Sequence, residues 1–246
     1  MFKSSLFALL FVSQLASANS FILGHNLSIT TAVPEKGTVS AGNFLLGYSP
    51  TESCHIGTSP WMATGYNSYS LLGRCKLTDE TQYFHSSTLQ FAYMKSDDSL
   101  GDYYRQELAM LWYAIENKIN DIYTIYTTVN YMYFWDETFP FSLRREPGND
   151  QPWQISLSTL HQVRWSKHSG FHFEFGILGL NYSTPLIHNG YSVYTTGENY
   201  LIQIGLSMSA SQNNFDRLYE KTKFAGATVE SYDFSVHPEI QLQFFF

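Results

Sequence analysis

Charge is what this 246-residue chain has least of: 14 Lys plus Arg and 21 Asp plus Glu amount to 14% of it, against about 25% in an ordinary soluble domain. The few basic residues are scattered, so no stripe exists to neutralise phosphates, and nucleic-acid partners are excluded. Long apolar runs are missing as well. The densest, residues 171–180, is interrupted by His172 and Glu174 and is about half the ~20 residues that a membrane-spanning helix requires. Metal-ligating patterns are absent too. His168 and His172 are four apart, but strand geometry and the lack of Cys or carboxylate partners leave them no metal to share. No cofactor or metal is expected.

Rings are abundant. Aromatic residues make up 17% of the chain, with 18 Tyr and 19 Phe, although the hydrophobic fraction is only 44% and the formal net charge is −7. Such a composition argues against disorder, which is poor in aromatics. At the N-terminus Lys3, the apolar stretch 6–12 and Ala16-Ser17-Ala18 form the charged, hydrophobic and small-x-small parts of a secretory signal. Residues 1–18 are therefore expected to be removed, leaving 19–246 as one exported domain.

Alternation with period two organises that domain, as strands require. Twelve segments emerge: 26–33, 38–48, 54–59, 68–77, 82–95, 103–115, 121–135, 153–167, 171–177, 186–195, 199–211 and 236–246. Pro34-Glu35-Lys36-Gly37 closes the first hairpin in this reading. Segment 103–115 is ambiguous, because Tyr104, Leu108, Leu111 and Ile115 also fit a helical stripe; its place between two strong strands favours a strand.

A soluble carrier barrel would alternate equally well, so the faces must decide. The polar face is rich in Ser, Thr, Gln, Asn and Gly rather than Lys and Glu, which suits a lumen better than a water-facing surface. Tyr69, residues 131–135, Trp153 and Trp165 gather near strand ends, as interfacial girdles do. The chain also stops on a strand, with Ile240, Leu242, Phe244 and Phe246 at alternate positions. This ending resembles the C-terminal signal of bacterial outer-membrane β-barrel proteins. The resemblance implies an all-β, up-and-down antiparallel transmembrane barrel of about 12 strands, with 10 as the alternative. It also implies recognition by the barrel-assembly machinery and contact with outer-membrane lipid and lipopolysaccharide. An even strand count returns both termini to the periplasm, which puts the long connections 60–67, 96–102, 136–152 and 212–235 outside.

The candidate lumen residues are Arg74, Lys76, Arg105, Glu107, Arg164, His172, Glu174, Gln203, Glu239 and Gln241, with Gln162 and Gln243 between them. Both signs of charge occur, so these groups suit either a narrow pore for small polar solutes or pairing that fills the interior. The outer loop 136–152, with Arg144 and Arg145 among acidic residues, could grip an anionic sugar, although mixed-charge loops are usually only solvated. Catalysis is not expected. The outer-membrane phospholipase family carries His-x-Ser-Asn-Gly, whereas here His168-Ser169-Gly170 lacks the Asn and His188-Asn189-Gly190 lacks the Ser. Cys54 and Cys75 fall opposite each other if segments 54–59 and 68–77 form a hairpin centred between Thr64 and Gly65, and in an exported chain they could form a disulfide.

Overall fold

The computed structural model describes residues 27–42, 45–60, 68–81, 85–96, 106–135, 151–182, 185–211, 220–224, 227–231 and 234–246. Its strands are β1 (Val39–Gly42), β2 (Leu45–Tyr48), β3 (Cys54–Thr58), β4 (Ser68–Thr78), β5 (Ser87–Ser96), β6 (Gln106–Lys118), β7 (Tyr123–Phe134), β8 (Trp153–Arg164), β9 (Ser169–Leu178), β10 (Leu186–Thr196), β11 (Tyr200–Ser211), β12 (Glu220–Phe224), β13 (Ala227–Ser231) and β14 (Phe234–Phe245). Twelve of them close into an antiparallel barrel, each beside its sequence neighbour except that β14 follows β11 and meets β1. Strands β12 and β13 form a separate two-stranded sheet within the β11–β14 connection.

The pleat sorts the side chains cleanly. On β7, Thr124, Tyr126, Thr128, Asn130 and Met132 are buried in the interior, while Val129 and Tyr131 are exposed outside. Strand β8 repeats this with Gln154, Ser156, Ser158 and Leu160 buried and Leu157 exposed. Around the whole wall the outside is apolar, with Leu71, Phe91, Leu111, Ile204, Leu206 and Leu242 all exposed. That pattern inverts a soluble fold and suits hydrocarbon. Rings mark both ends of the wall. Tyr131 stacks on Trp153 and Tyr133 meets Trp135 edge-on at one end, while Trp165, Tyr48, Tyr200 and Phe246 are exposed at the other.

The end that carries Phe246 has short turns at 49–53, 119–122, 165–168 and 197–199. One is fixed by Asn120, whose Oδ1 accepts from the backbone N–H groups of Ile122 and Tyr123, both at 2.9 Å. We call it the turn end. Strands β5, β7, β9 and β11 end at the opposite, far end.

Strand boundaries agree with the sequence reading over most of the wall, and segment 103–115 is strand rather than helix from Gln106 onward. Two expectations fail, and they cancel in the count. Segment 38–48 is two strands, because β1 and β2 pair with each other around residues 43–44 with Val39 opposite Tyr48 and Gly42 opposite Leu45. Residues 27–33 are not a strand at all. They run as irregular backbone through the barrel interior, with Leu27, Ser28, Ile29 and Thr31 buried. The turn at 34–37 was foreseen, but it performs a different task. Gly37 adopts φ +86°, a region open to glycine, and there the chain leaves the lumen and enters β1 at the turn end, anchored by Gly37 N to Ser49 O at 2.9 Å.

Candidate functional site

The lumen is divided. One side is filled by residues 27–33, and the reason lies in the inner faces of β5 to β9. Strand β6 turns Leu108, Met110, Trp112 and Ala114 inward, all buried, where a water-filled pore would show polar groups. These residues, with Ala92 and Met132, form an apolar seat for Ile29, which is 6% exposed. Strand β6 is thus apolar on both faces, which is why its sequence lacks clean alternation. Farther round, Gly176 makes room for Leu27: a Cβ built there would lie 2.9 Å from Leu27 Cδ1 and 2.8 Å from Ser158 Cβ.

Hydrogen bonds hold the segment along its length. Ser28 N donates to Glu174 Oε1 at 2.5 Å, and the Ser28 and Ser158 hydroxyls meet at 2.7 Å. Ile29 N donates to Thr128 Oγ1 at 3.2 Å, and Thr88 Oγ1 donates to the Thr31 carbonyl at 3.0 Å. The Thr31 hydroxyl bonds the Glu116 carboxylate. Arg74 Nη1 donates to the Ala32 carbonyl at 3.2 Å, and its Nε donates to Gln90 Oε1 at 2.8 Å. Every bond from the wall to this backbone satisfies a group that burial would otherwise leave unpaired. The segment runs from Leu27, beside Gly176 near the far end of β9, to Lys36 at the turn end. The segment therefore traverses most of the lumen.

The other side holds a cavity of about 720 Å³, lined by residues of β1 to β4, β10, β11 and β14, by the segment itself, and by Gln90, Trp112, Leu160, His172 and Glu174 from β5, β6, β8 and β9. Glu35, Glu198 and Asn199 border it at the turn end, and it reaches up to Glu174. Its polar lining includes Arg74, Gln90, Gln203, Gln241 and Gln243, with Gln203 directly opposite Gln241 in the ladder.

The expected lumen residues divide accordingly. Arg74, His172, Glu174, Gln203, Gln241 and Gln243 all line the cavity. Glu174 is nearly fully buried, bound by Ser28 N and lying 3.4 Å from His188 Nε2. His172 stacks on Tyr194 with ring centroids 4.4 Å apart and meets Gln162 Nε2 at 3.1 Å. Lys76 shares the inward face of β4 but bonds Asp79 at the turn end, and Arg164 ends β8 there, opposite Gly170. Glu107 is a correction. It shares the outward face of β6 with Leu111 and Tyr113, where it accepts from Tyr93 Oη at 2.9 Å and pairs with Lys95 at 3.3 Å. Because both faces of β6 are apolar, its alternation does not mark which side is inward. Glu239 lies in β14 opposite Gly205. Arg105 and residues 136–150 of the loop lie outside the described residues, as does the signal segment 1–18.

Cys54 faces Cys75 in the β3–β4 register, with Cα atoms 4.1 Å apart, and the two form a disulfide. Its position is the one that the hairpin arithmetic gives. Ile240, Leu242, Phe244 and Phe246 are all exposed on the outer face of the last strand. Sequence reasoning missed Ser28, Ile29 and Thr31 as interior ligands of the wall. A signal was present in Gly42-Asn43, a turn pair inside segment 38–48 that should have split it and freed residues 26–33 from strand duty.

No family model matches this sequence. No curated protein matches it either. Among solved structures the chain is similar to an anion-selective porin from Comamonas acidovorans, with a TM-score of 0.41 and 6% sequence identity, over 82% of this chain and 58% of that one. The chain thus spans a little over half of that porin's length, and the barrel described above rests on its own strand pairing.

Proposed function

We propose that the protein is a porin-like channel of the bacterial outer membrane, exported by residues 1–18, that passes small polar solutes along a lumen narrowed by its own N-terminal segment. The observation that carries this reading is the cavity of about 720 Å³, with Arg74, Gln90, Gln203, Gln241 and Gln243 among its lining, that runs beside residues 27–33 from the turn end to Glu174. An apolar outer wall with rings at both ends supports the membrane location. In this orientation the turn end is periplasmic and the far end faces outward, toward lipopolysaccharide. The solutes it suits are small and hydrogen-bonding, because Gln side chains both donate and accept. No catalytic role is assigned.

A second reading is favoured by the apolar seat around Ile29, which fills one side of the lumen as a structural barrel would. Planar-bilayer recording of the refolded protein separates the two. Stepwise current supports the channel; none, from a barrel shown to be folded and inserted, supports the structural barrel.

A further inference from the structure

Three consecutive barrel strands are far shorter than the rest. Strands β1, β2 and β3 have four, four and five residues, whereas β14 on one side has twelve and β4 on the other has eleven. Strand β1 pairs with β14 only from Gln243 to Phe245. Among the described residues no strand pairs with this side of β14 from Phe234 to Gln241, a length of about 26 Å. The β3–β4 ladder likewise stops at Gly57 opposite Leu72.

The sequence marks this edge independently. On β14, Phe246 exchanges backbone bonds with Val39 at 2.9 and 2.8 Å, whereas Phe245 N donates to Asn199 O at 2.9 Å on the β11 side. The β11–β14 register runs unbroken from Tyr200 opposite Phe244 to Ala210 opposite Phe234. Even-numbered residues of β14 therefore aim their backbone groups away from β11. Pro238 is one of them, and its missing N–H falls on the side where no described strand pairs. Proline is tolerated at a true edge and protects that edge against added strands.

We infer that this edge borders a lateral opening through which a single-chain anionic amphiphile passes from the membrane into the luminal cavity. The inference rests on the membrane-barrel reading above. Irregular or unpaired backbone at membrane depth is tolerated where it lines a cavity, and the cavity reaches this place: its lining includes Leu46 and Gly73, which belong to the outward face of the sheet at the tops of the short strands. Its chemistry is two-sided. Leu46, Leu72 and Trp112 offer apolar surface, while Arg74, Gln90 and Gln203 offer polar groups. Two of the five guanidinium N–H donors of Arg74 are engaged by Gln90 and Ala32, so a carboxylate head can take the outer edge of that fork. A cavity of about 720 Å³ lies within the roughly 300–1,000 Å³ of ordinary ligand sites. A second copy adding a strand is the competing occupant, and Pro238 opposes it.

The test uses the full mature chain refolded into phosphatidylcholine vesicles and titrated with 9,10-dibromostearate, with tryptophan fluorescence as the readout. The expected result is a saturable quenching component that disappears in Trp112→Phe. Its half-saturation should rise about ten-fold in Arg74→Gln, the loss of a charged hydrogen bond, with Gln203→Leu as a second weakened variant should Arg74→Gln fail to refold. Quenching that grows linearly with bromolipid content and is the same in all variants overturns the inference. Edge-to-edge cross-linking of two chains through Ile240→Cys overturns it in favour of the second copy. Brominated phosphatidylcholine serves as the membrane control. If it fails to quench the exposed Trp165, the membrane reading itself fails; if it quenches while dibromostearate gives no saturable component, only the lateral route does.

Discussion

Replacing Ile29 with Ala should loosen the segment that narrows the lumen, and the size of the effect follows from its seat. Ile29 is 6% exposed and belongs to one buried apolar cluster with Ala92, Leu108, Met110, Trp112, Ala114 and Met132. Truncating such a side chain costs about 2–5 kcal/mol, the range reflecting how far the cavity collapses. Since the wall strands are held by their own ladders, the cost falls on the seated state of the segment rather than on the barrel. At about 1.4 kcal/mol per factor of ten, the ratio of seated to unseated segment should drop roughly 30-fold to several thousand-fold. Single-channel recording would register this as a larger open probability or conductance than in the parent, with Leu157→Ala on the outer face as a control of similar size. Barrel integrity is checked by the shift in gel mobility between heated and unheated samples. Unchanged gating in an Ile29→Ala protein that keeps that shift would refute the idea that the segment obstructs the path.

The remaining expectations are more local. Gly176→Ala should act like Ile29→Ala in the same recordings, because the new Cβ would lie 2.9 Å from Leu27 Cδ1; parental traces would mean that Leu27 is not held there. Arg74→Glu should move the reversal potential in a salt gradient toward cation preference while the protein still inserts, and an unmoved potential would place Arg74 off the path. Reducing the Cys54–Cys75 bridge, which spans 21 residues, should lower stability in urea by about 3 kcal/mol on the loop-entropy account, and identical unfolding curves with and without reductant would contradict that. Deleting residues 243–246 removes the partners of β1 in the closing seam and should prevent assembly; a protease-resistant truncated barrel in the outer membrane would show that the seam and the terminal signal are dispensable.

What the sequence could reveal was set by how many environments each strand meets. Strands β7 and β8 have an apolar outside and a polar inside, so Val129 against Thr128, or Leu157 against Ser158, displays the alternation directly. Strand β6 has the apolar outside of the barrel on one face and the cluster around Ile29 on the other. No single-strand pattern distinguishes that from a buried helix, and Glu107 was misplaced for the same reason. Residues 27–33 alternate well enough to imitate a strand, yet their backbone groups bond to side chains such as Glu174, Thr128 and Arg74 that are more than 40 positions away in sequence. The Cys54–Cys75 register was legible because a hairpin is local. The divided lumen was not, since it depends on which long-range partners the N-terminal segment meets.

That arrangement also orders events in time. The segment from Leu27 to Lys36 is enclosed by the wall and continuous with β1, the strand that closes the circle against β14 at only three residue pairs. Once the seam is shut, the closed wall restricts the segment's way to its seat past Trp112 and Glu174. The direct course is for residues 27–33 to settle on the inner faces of β5 to β9 while those strands are still an open sheet, so that the brief β1–β14 seam closes last over a lumen already occupied.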